Sequence, residues 1–242
     1  MLVDIAIPVL NEENALPDCV ANLLLFVGKH SSPHSFQITI VDNGSIDGTL
    51  SVAKELANKH PGQVQWIHLS KRGRGRALKK AWLESTADIV SYMDVDLSTG
   101  LEAFPRLIEA IEEGHDLAVG SRLMKASATT RSLRRELISR IYNWLIRLTF
   151  RTKFSDAQCG FKAMRIESAR VLVPLVDNDN WFFDTELLII AEKRGFNVMD
   201  VAVTWEEDSD TRVKLVNTIL EDLKGLARLR LGGIPKVTPP WR

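Results

Sequence analysis

Asp94 and Asp96, in "SYMDVDLSTG" (residues 91–100), are the pair whose spacing most plainly suggests chemistry. They end an apolar run, Ile89, Val90, Tyr92 and Met93, that reads as a strand. Residues two apart on a strand share a face, so both carboxylates are expected to project together from its end. Two like charges that close are costly unless something positive sits between them. A hard divalent cation, Mg²⁺ or Mn²⁺, meets that need, because it takes one or two carboxylates and completes its shell with phosphate oxygens. The plainer alternative is a pair of solvated acids ahead of a helix capped by Ser98.

Groups suited to an anion lie nearby in the sequence. "SKRGRGRALKKAW" (70–82) places Gly73 and Arg74 at a helix start, where backbone amides and guanidinium groups suit a diphosphate. It lacks the G-K-[ST] ending of a Walker loop, and it does not follow the first strand as a dinucleotide fingerprint must. "IVDNGSIDGT" (40–49) ends a strand at Asp42, an acceptor for a nucleobase or ribose, and turns on Gly44, Ser45 and Gly48. "VGSR" closes another strand with Arg122, whose fork matches a phosphate. In "RSLRRELISRIYNWLIRLTFR" (131–151), Leu137, Ile141, Trp144, Leu145 and Leu148 share a stripe flanked by Arg140, Arg147 and Arg151. That composition suits an interfacial helix, or an ordinary amphipathic helix packed on a sheet. Asp184 and Glu186 stand in the apolar "WFFDTELLIIAEKRGF" (181–196), where a carboxylate needs a partner or a task. Contact with sugar hydroxyls, pairing with the arginines, and capping of a helix near Thr185 all fit.

These residues need elements to hold them. "VDIAIPVL", "QITIVDN", "VQWIHLS", "ADIVSYMDVD" and "DLAVGSR" read as strands. Between them, helices are expected at about 16–29, 48–59, 75–85 and 102–113. Such alternation predicts an α/β fold, a mostly parallel sheet flanked by helices, with ligands beyond the carboxyl ends of the strands. Asn11 and Glu12, Asp42 and Asn43, Asp94 and Asp96, and Arg122 all fall at such ends. After about residue 123 the pattern breaks into a long basic helix from about Thr130 to Phe150, a loop "SDAQCGFKAMR", a strand "VMDVAVTW" and a C-terminal helix.

Composition narrows the class. The chain has 242 residues and a net charge of zero, so no nucleic-acid partner is implied. Charge is nevertheless segregated: residues 88–116 carry eight acids and one arginine, and residues 121–153 carry nine basic residues and one acid. Such neighbours suit a cation beside an anion. Two cysteines give neither a disulfide framework nor a zinc spacing, which points to a reducing compartment. "MLVDIAIPVLNEE" reads as a first strand rather than a signal peptide, and no run approaches the roughly 18 apolar residues of a membrane span.

In order, "IAIPVLNEE", "VDNGSIDGT", "GRGRAL", "MDVDLS", "VGSR", "RRELISRIYN", "DAQCGFKAMR" and "WFFDTELLIIAEKRG" resemble the inverting GT-A glycosyltransferases of family 2. Specifically, they look like the polyprenyl-phosphate sugar synthases, which include dolichyl-phosphate glucosyl- and mannosyltransferases. "DAQCGFK" and "FDTELL" look nearer the glucosyl branch. The resemblance implies a GT-A, Rossmann-like catalytic domain over residues 1–212, with a nucleotide-sugar half (1–123) and an acceptor half (124–212), then a C-terminal helix and tail (213–242). It implies transfer of a hexose, from UDP-glucose or a related UDP-sugar, to a polyprenyl or dolichyl monophosphate with inversion. A GDP-mannose donor and a hydroxyl acceptor are the alternatives.

Carried over by position, Pro8, Asn11 and Glu12 line the nucleotide pocket and Asp42 reads the base, with Gly73 and Arg74 beside it. Asp94 and Asp96 hold Mg²⁺ or Mn²⁺ and the donor diphosphate, while Arg122, Arg135 and Ser139 receive the lipid phosphate. Asp184 and Glu186 complete the substrate side. Asn43 replaces a usual second acid, and Ser98 a frequent glutamine. A peripheral place on the cytoplasmic face of a membrane follows from the same resemblance, with a membrane-embedded partner protein as an accessory.

Overall fold

The computed structural model describes residues 1–29, 33–130, 132–206 and 215–239. Five strands carry the parallel frame: β1 (Leu2–Val9), β2 (Ser35–Asp42), β3 (Val64–His68), β4 (Ile89–Met93) and β5 (Leu117–Ser121). Their connections are α1 (Ala15–Lys29), α2 (Thr49–Lys59), α3 (Arg74–Glu84) and α4 (Phe104–Glu112). Then come β6 (Ala128–Thr130), α5 (Leu133–Phe150), β7 (Phe161–Arg165), α6 (Ile166–Leu172), α7 (Phe183–Lys193), β8 (Val198–Ala202), β9 (Thr204–Glu206) and α8 (Leu215–Gly232). The main sheet has seven strands in the order β3-β2-β1-β4-β7-β5-β8, and β6 and β9 form a small second sheet.

β7 lies antiparallel between β4 and β5. The sequence reading made this stretch a loop. Five residues, FKAMR, with a lysine second and an arginine last carry too little apolar alternation to announce a strand, yet all but Arg165 are buried. "VMDVAVTW" likewise divides at Val203: β8 extends the main sheet beside β5, whereas β9 pairs with β6.

Strand alternation supplies a core on each face. Val3, Ile5, Ile7 and Val9 of β1 meet Leu16, Val20 and Leu23 of α1 and Leu107 and Ile111 of α4. On the opposite face Val90 and Tyr92 of β4 meet Trp82 of α3, Ile146 and Phe150 of α5, and Leu187 and Ile190 of α7. Leu226 and Leu229 of α8 join this second core, and Ile234 and Val237 pack against it. The C-terminal segment thus packs on the same core as α3, α5 and α7 through these four residues; the expected boundary at residues 212/213 lies outside the described residues.

Sheet order reverses beside β1, because β2 pairs on one side of it and β4 on the other. The crevice beyond β1 and β4 is the topological switch point, where ligands of such sheets bind.

Candidate active site

Three loops close one side of that crevice. Asn11 sits at φ +56°, a left-handed conformation that asparagine tolerates better than most residues. Its backbone N–H donates to Ser45 Oγ at 2.9 Å, and its side-chain oxygen accepts from the Ile46 N–H at 2.9 Å. The Glu12 N–H donates to Thr49 Oγ1 at 2.8 Å. Asn43 Oδ1 accepts from the Gly73 N–H at 2.8 Å, which ties in the start of α3. Gly73 itself has φ +155°, and a Cβ there would lie 2.6 Å from the Asp179 carbonyl oxygen, so only glycine fits. Pro8, half-buried, stands opposite Val41 in the β1–β2 register.

Asp42 is buried and fully engaged. Its Oδ1 accepts from the Ser45 N–H at 3.1 Å, and its Oδ2 lies 2.6 Å from Nδ1 of His68, the residue opposite it in β3. The exposed member of the pair is His68, at 39 % against 0 % for Asp42. Any reading of a base by Asp42 therefore passes through, or beside, the imidazole.

β4 ends at Met93, so Asp94 and Asp96 lie on the turn beyond it and not on the strand itself. Leu97, at φ +50°, closes that turn, with Ser98 N–H donating to Asp96 Oδ1 at 2.9 Å. The strand-face geometry expected from the i, i+2 spacing gives way to turn geometry. Both acids still act on one neighbourhood: burial first, then Asp96 and Asp94, push the Cys19 thiol up to about 12. Asp94 keeps 45 % of its side chain exposed. Gly160 presses against it so closely that a Cβ would lie 1.9 Å from Asp94 Oδ2.

The positive charge beside Asp94 is Arg74. Its guanidinium donates to Asp94 Oδ1 at 2.5 Å and to Asp184 Oδ2 at 2.6 Å, and its Cζ lies 5.1 and 5.2 Å from the rings of Tyr92 and Trp181. Burial would lower the Arg74 pKa, but Asp94, Tyr92 and Asp184 outweigh it and hold it well above the ordinary value. Behind it, Asp184 Oδ1 accepts from the buried Lys162 Nζ at 2.8 Å and from the Tyr92 hydroxyl. Burial alone would raise the Asp184 carboxyl, yet Lys162 and Arg74 hold it below the usual carboxylate range. Lys162 also donates to the Cys159 carbonyl at 2.6 Å. Tyr92 and Lys162 are register partners on β4 and β7, so both reach the α7 face of the sheet. The unit is a charge-balanced row, Asp94, Arg74, Asp184 and Lys162, open to solvent at Asp94 and buried behind it.

The acceptor-side residues divide. Arg122 lies at the end of β5, but its fork is committed to Asp156, with Nε to Oδ2 at 2.7 Å and Nη2 to Oδ1 at 3.0 Å, beneath the ring of Trp205. Asp156 is fully buried, so this is an ion pair anchoring the loop before β7 rather than an open phosphate fork. Ser139 lies on the inner face of α5, buried at 8 %, and its hydroxyl has no partner among the described residues. Arg135 stands one turn before it on the same helix. α5 is fastened beside the row through Tyr142 and Thr185, whose hydroxyls are 3.0 Å apart, and through the Ala157 N–H, which donates to Asn143 Oδ1 at 2.9 Å. Glu186 turns away from the crevice: fully buried, it accepts from Arg228 of α8 at 2.7 Å.

Among the described residues no group of three or more His, Cys, Asp or Glu gathers as a metal site. Two carboxylates on an open turn are nevertheless the oxygen donor set that Mg²⁺ or Mn²⁺ takes when phosphates and water supply the other ligands. Asp94 and Asp96 fit such an ion.

The profile of glycosyl transferase family 2 matches residues 4–173. The chain belongs to glycosyltransferase family 2. Among its relatives, glycosyltransferase AglD of Haloferax volcanii is 34 % identical over 220 residues, covering 90 % of this chain and 35 % of that one. The dolichyl-phosphate beta-glucosyltransferase of Drosophila melanogaster is 30 % identical, covering 84 % and 66 %. The polyprenol monophosphomannose synthase of Mycolicibacterium smegmatis is 33 % identical, covering 84 % and 77 %. The chain thus spans about a third of the archaeal relative's length. Glucosyl-3-phosphoglycerate synthase from Mycobacterium tuberculosis, solved with UDP, superposes with a TM-score of 0.70 over 97 % of this chain and 81 % of that one, at 18 % identity. That likeness establishes the GT-A fold. The same synthase has also been solved with Mn²⁺ and with Mg²⁺, each together with UDP.

Proposed function

We propose that this family 2 glycosyltransferase moves a hexose from a nucleotide sugar to a polyprenyl monophosphate, with inversion. The observation that carries the reading is the junction of two sites. The open Asp94–Asp96 turn lies at the sheet's switch point, and the row behind it leads to α5, where the buried Ser139 hydroxyl, one turn from Arg135, has no partner among the described residues. The named activities of the dolichyl-phosphate and polyprenol relatives support the acceptor. Glucose as the sugar is favoured by the glucosyltransferase relatives, and UDP as its carrier by the resemblance of "DAQCGFK" and "FDTELL" to the glucosyl branch.

Asp94 and Asp96 would hold the divalent cation and, through it, the donor diphosphate. When bound, that ion supplies charge neutralisation for the departing nucleoside diphosphate. The chain's own residues do the rest. Pro8, Asn11, Glu12 and the Asp42–His68 pair frame the nucleoside. Arg74, carried on the α3 N-terminus, offers its guanidinium to the diphosphate. Arg135 and Ser139 hold the acceptor phosphate against its repulsion from the donor. With a second pKa near 6, a phosphate monoester is already largely dianionic at neutral pH, so its oxygen attacks without a general base. Asp184, ionised and bound by two cations, fits the work of positioning Arg74 better than proton abstraction. In-line attack gives a β-linked lipid-phosphate sugar.

The exposed face of α5 carries Leu137, Ile141, Trp144 and Leu148, each 55–62 % exposed, and α8 also exposes Leu220 and Leu223. We assign this face to the surface of the membrane that holds the lipid, at its cytoplasmic side. Among the described residues no helix is long and apolar enough to cross a membrane.

The test is product analysis after incubation with UDP-glucose, Mn²⁺ and a short polyprenyl phosphate. A β-glucosyl phosphate is expected by NMR; an α-linked product would contradict inversion, and glycosylation of an added hydroxyl acceptor instead would move the function to the alternative class.

A further inference from the structure

Arg74 stands where a cation for Asp94 would have to act. Its Nη2 lies 2.5 Å from Asp94 Oδ1, while Gly160 crowds Oδ2 on the other side. Oδ1 is therefore already taken while the guanidinium is in place, although the Asp94 side chain stays 45 % exposed and open to an ion that displaces it. A divalent ion arriving there meets a fixed positive charge that is buried enough to escape most solvent screening.

The other half of the guanidinium is independently held. Nη1 donates to Asp184 at 2.6 Å, and the rings of Tyr92 and Trp181 flank Cζ. Asp184 has a second buried cation, Lys162 at 2.8 Å, so loosening Arg74 does not leave it an unpaired buried charge. Arg74 can therefore release Asp94 by a small movement about an anchored end.

We infer that Arg74 is a built-in counter-ion for Asp94 in the nucleotide-free protein, one that yields to the divalent cation only when a nucleoside diphosphate is present to receive the released guanidinium. The inference rests on the proposed metal role of Asp94 and Asp96. Its consequence is thermodynamic coupling: the diphosphate tightens metal binding, and the metal tightens diphosphate binding by the same factor. It also orders the site, because the ion is not retained once the nucleotide has left.

The experiment is Mn²⁺ titration of the full chain, read as loss of the free-ion EPR signal. It is run without nucleotide and with saturating UDP or GDP, against protein-free nucleotide controls. Wild type is expected to bind Mn²⁺ weakly alone and at least about tenfold more tightly with nucleotide. Arg74→Gln is expected to tighten binding in the absence of nucleotide and so to shrink the coupling factor to the part that the ion's own contact with the diphosphate supplies. Arg74→Lys, which keeps the charge, should retain most of the coupling. Wild type binding Mn²⁺ equally well with and without nucleotide would overturn the inference by itself, whether or not the variants fold. So would a folded Arg74→Gln protein with unchanged or weaker nucleotide-free affinity. If Mn²⁺ does not bind under any condition, or Asp94→Asn binds it as wild type does, the metal assignment itself fails and takes this inference with it.

Discussion

Lys162 and Asp184 show what one buried charge demands of its neighbours. Each stands in an apolar segment, and each is at most 3 % exposed on its side chain. Lys162→Met leaves Asp184 with Arg74 as its one remaining cation and takes the donor from the Cys159 carbonyl, so it should cost about 1.5–3 kcal/mol, measured by urea unfolding. The double variant Lys162→Met/Asp184→Asn should recover much of that, because Arg74 keeps Asp94 as its partner; additive losses would contradict the coupling. Asp96→Ala, at an exposed turn position, should abolish turnover while leaving stability within about 0.5 kcal/mol. Near-normal activity in that variant would remove the metal assignment.

Asp222 adds a pH dependence. Burial first, then Glu221, raise its carboxyl to about 7. Because the folded value exceeds the unfolded one, the stability it contributes is complete below about pH 4 and is lost as pH rises towards 7. The stability advantage of Asp222→Asn over wild type should therefore grow across that interval and level off above it, followed by thermal unfolding at several pH values; a flat difference would contradict the shift.

At this scale the sequence identified Asp184 and Glu186 as acids in need of partners, and the structure supplies Lys162 and Arg228. Lys162 escaped notice although "GFKAMR" carries the same signal, a charge inside an apolar strand. Arg122 was legible as a strand-end cation but not as the partner of Asp156, which lies 34 residues away. His68 gave no signal, because its pairing with Asp42 depends on strand register.

Among the elements, α5 carries two faces that the sequence could describe but not orient. The inner one, with Ser139, Asn143, Ile146 and Phe150, is buried, whereas the stripe through Leu137, Ile141, Trp144 and Leu148 faces solvent. An apolar row left exposed beside basic residues suits a lipid surface. Leu137→Ser/Trp144→Ser should weaken binding to anionic vesicles about tenfold or more, with little change in unfolding temperature since both residues are exposed. Raised salt should weaken the wild-type interaction further. Vesicle affinity unaffected by both changes would place the membrane contact elsewhere. Among the strands, the five parallel ones were legible from apolar runs ending in polar residues. β7 was not: its hydrogen-bonding partners, β4 and β5, lie far from it in sequence, and its burial comes from helices on both faces.

For the molecule as a whole, helix–strand alternation foretold the mostly parallel sheet and put Asn11, Asp42 and Asp94 at or just beyond the carboxyl ends of strands, where the structure has them. The antiparallel insertion of β7 and the packing of α8 on the second core came from long-range contacts that no local pattern carries. That insertion brings Lys162 to Asp184 and Gly160 to Asp94, so the same departure from a simple parallel sheet builds the site. The central claim, metal-dependent transfer of a sugar to a lipid phosphate, is tested most directly by offering radiolabelled UDP- and GDP-sugars with a short polyprenyl phosphate, in Mg²⁺ or Mn²⁺ and in chelator, and counting label in the organic phase. The account predicts label from one donor, UDP-glucose foremost, which disappears with chelator. Release of nucleotide from the donors with no label in lipid, or lipid labelling that survives chelation, would contradict it.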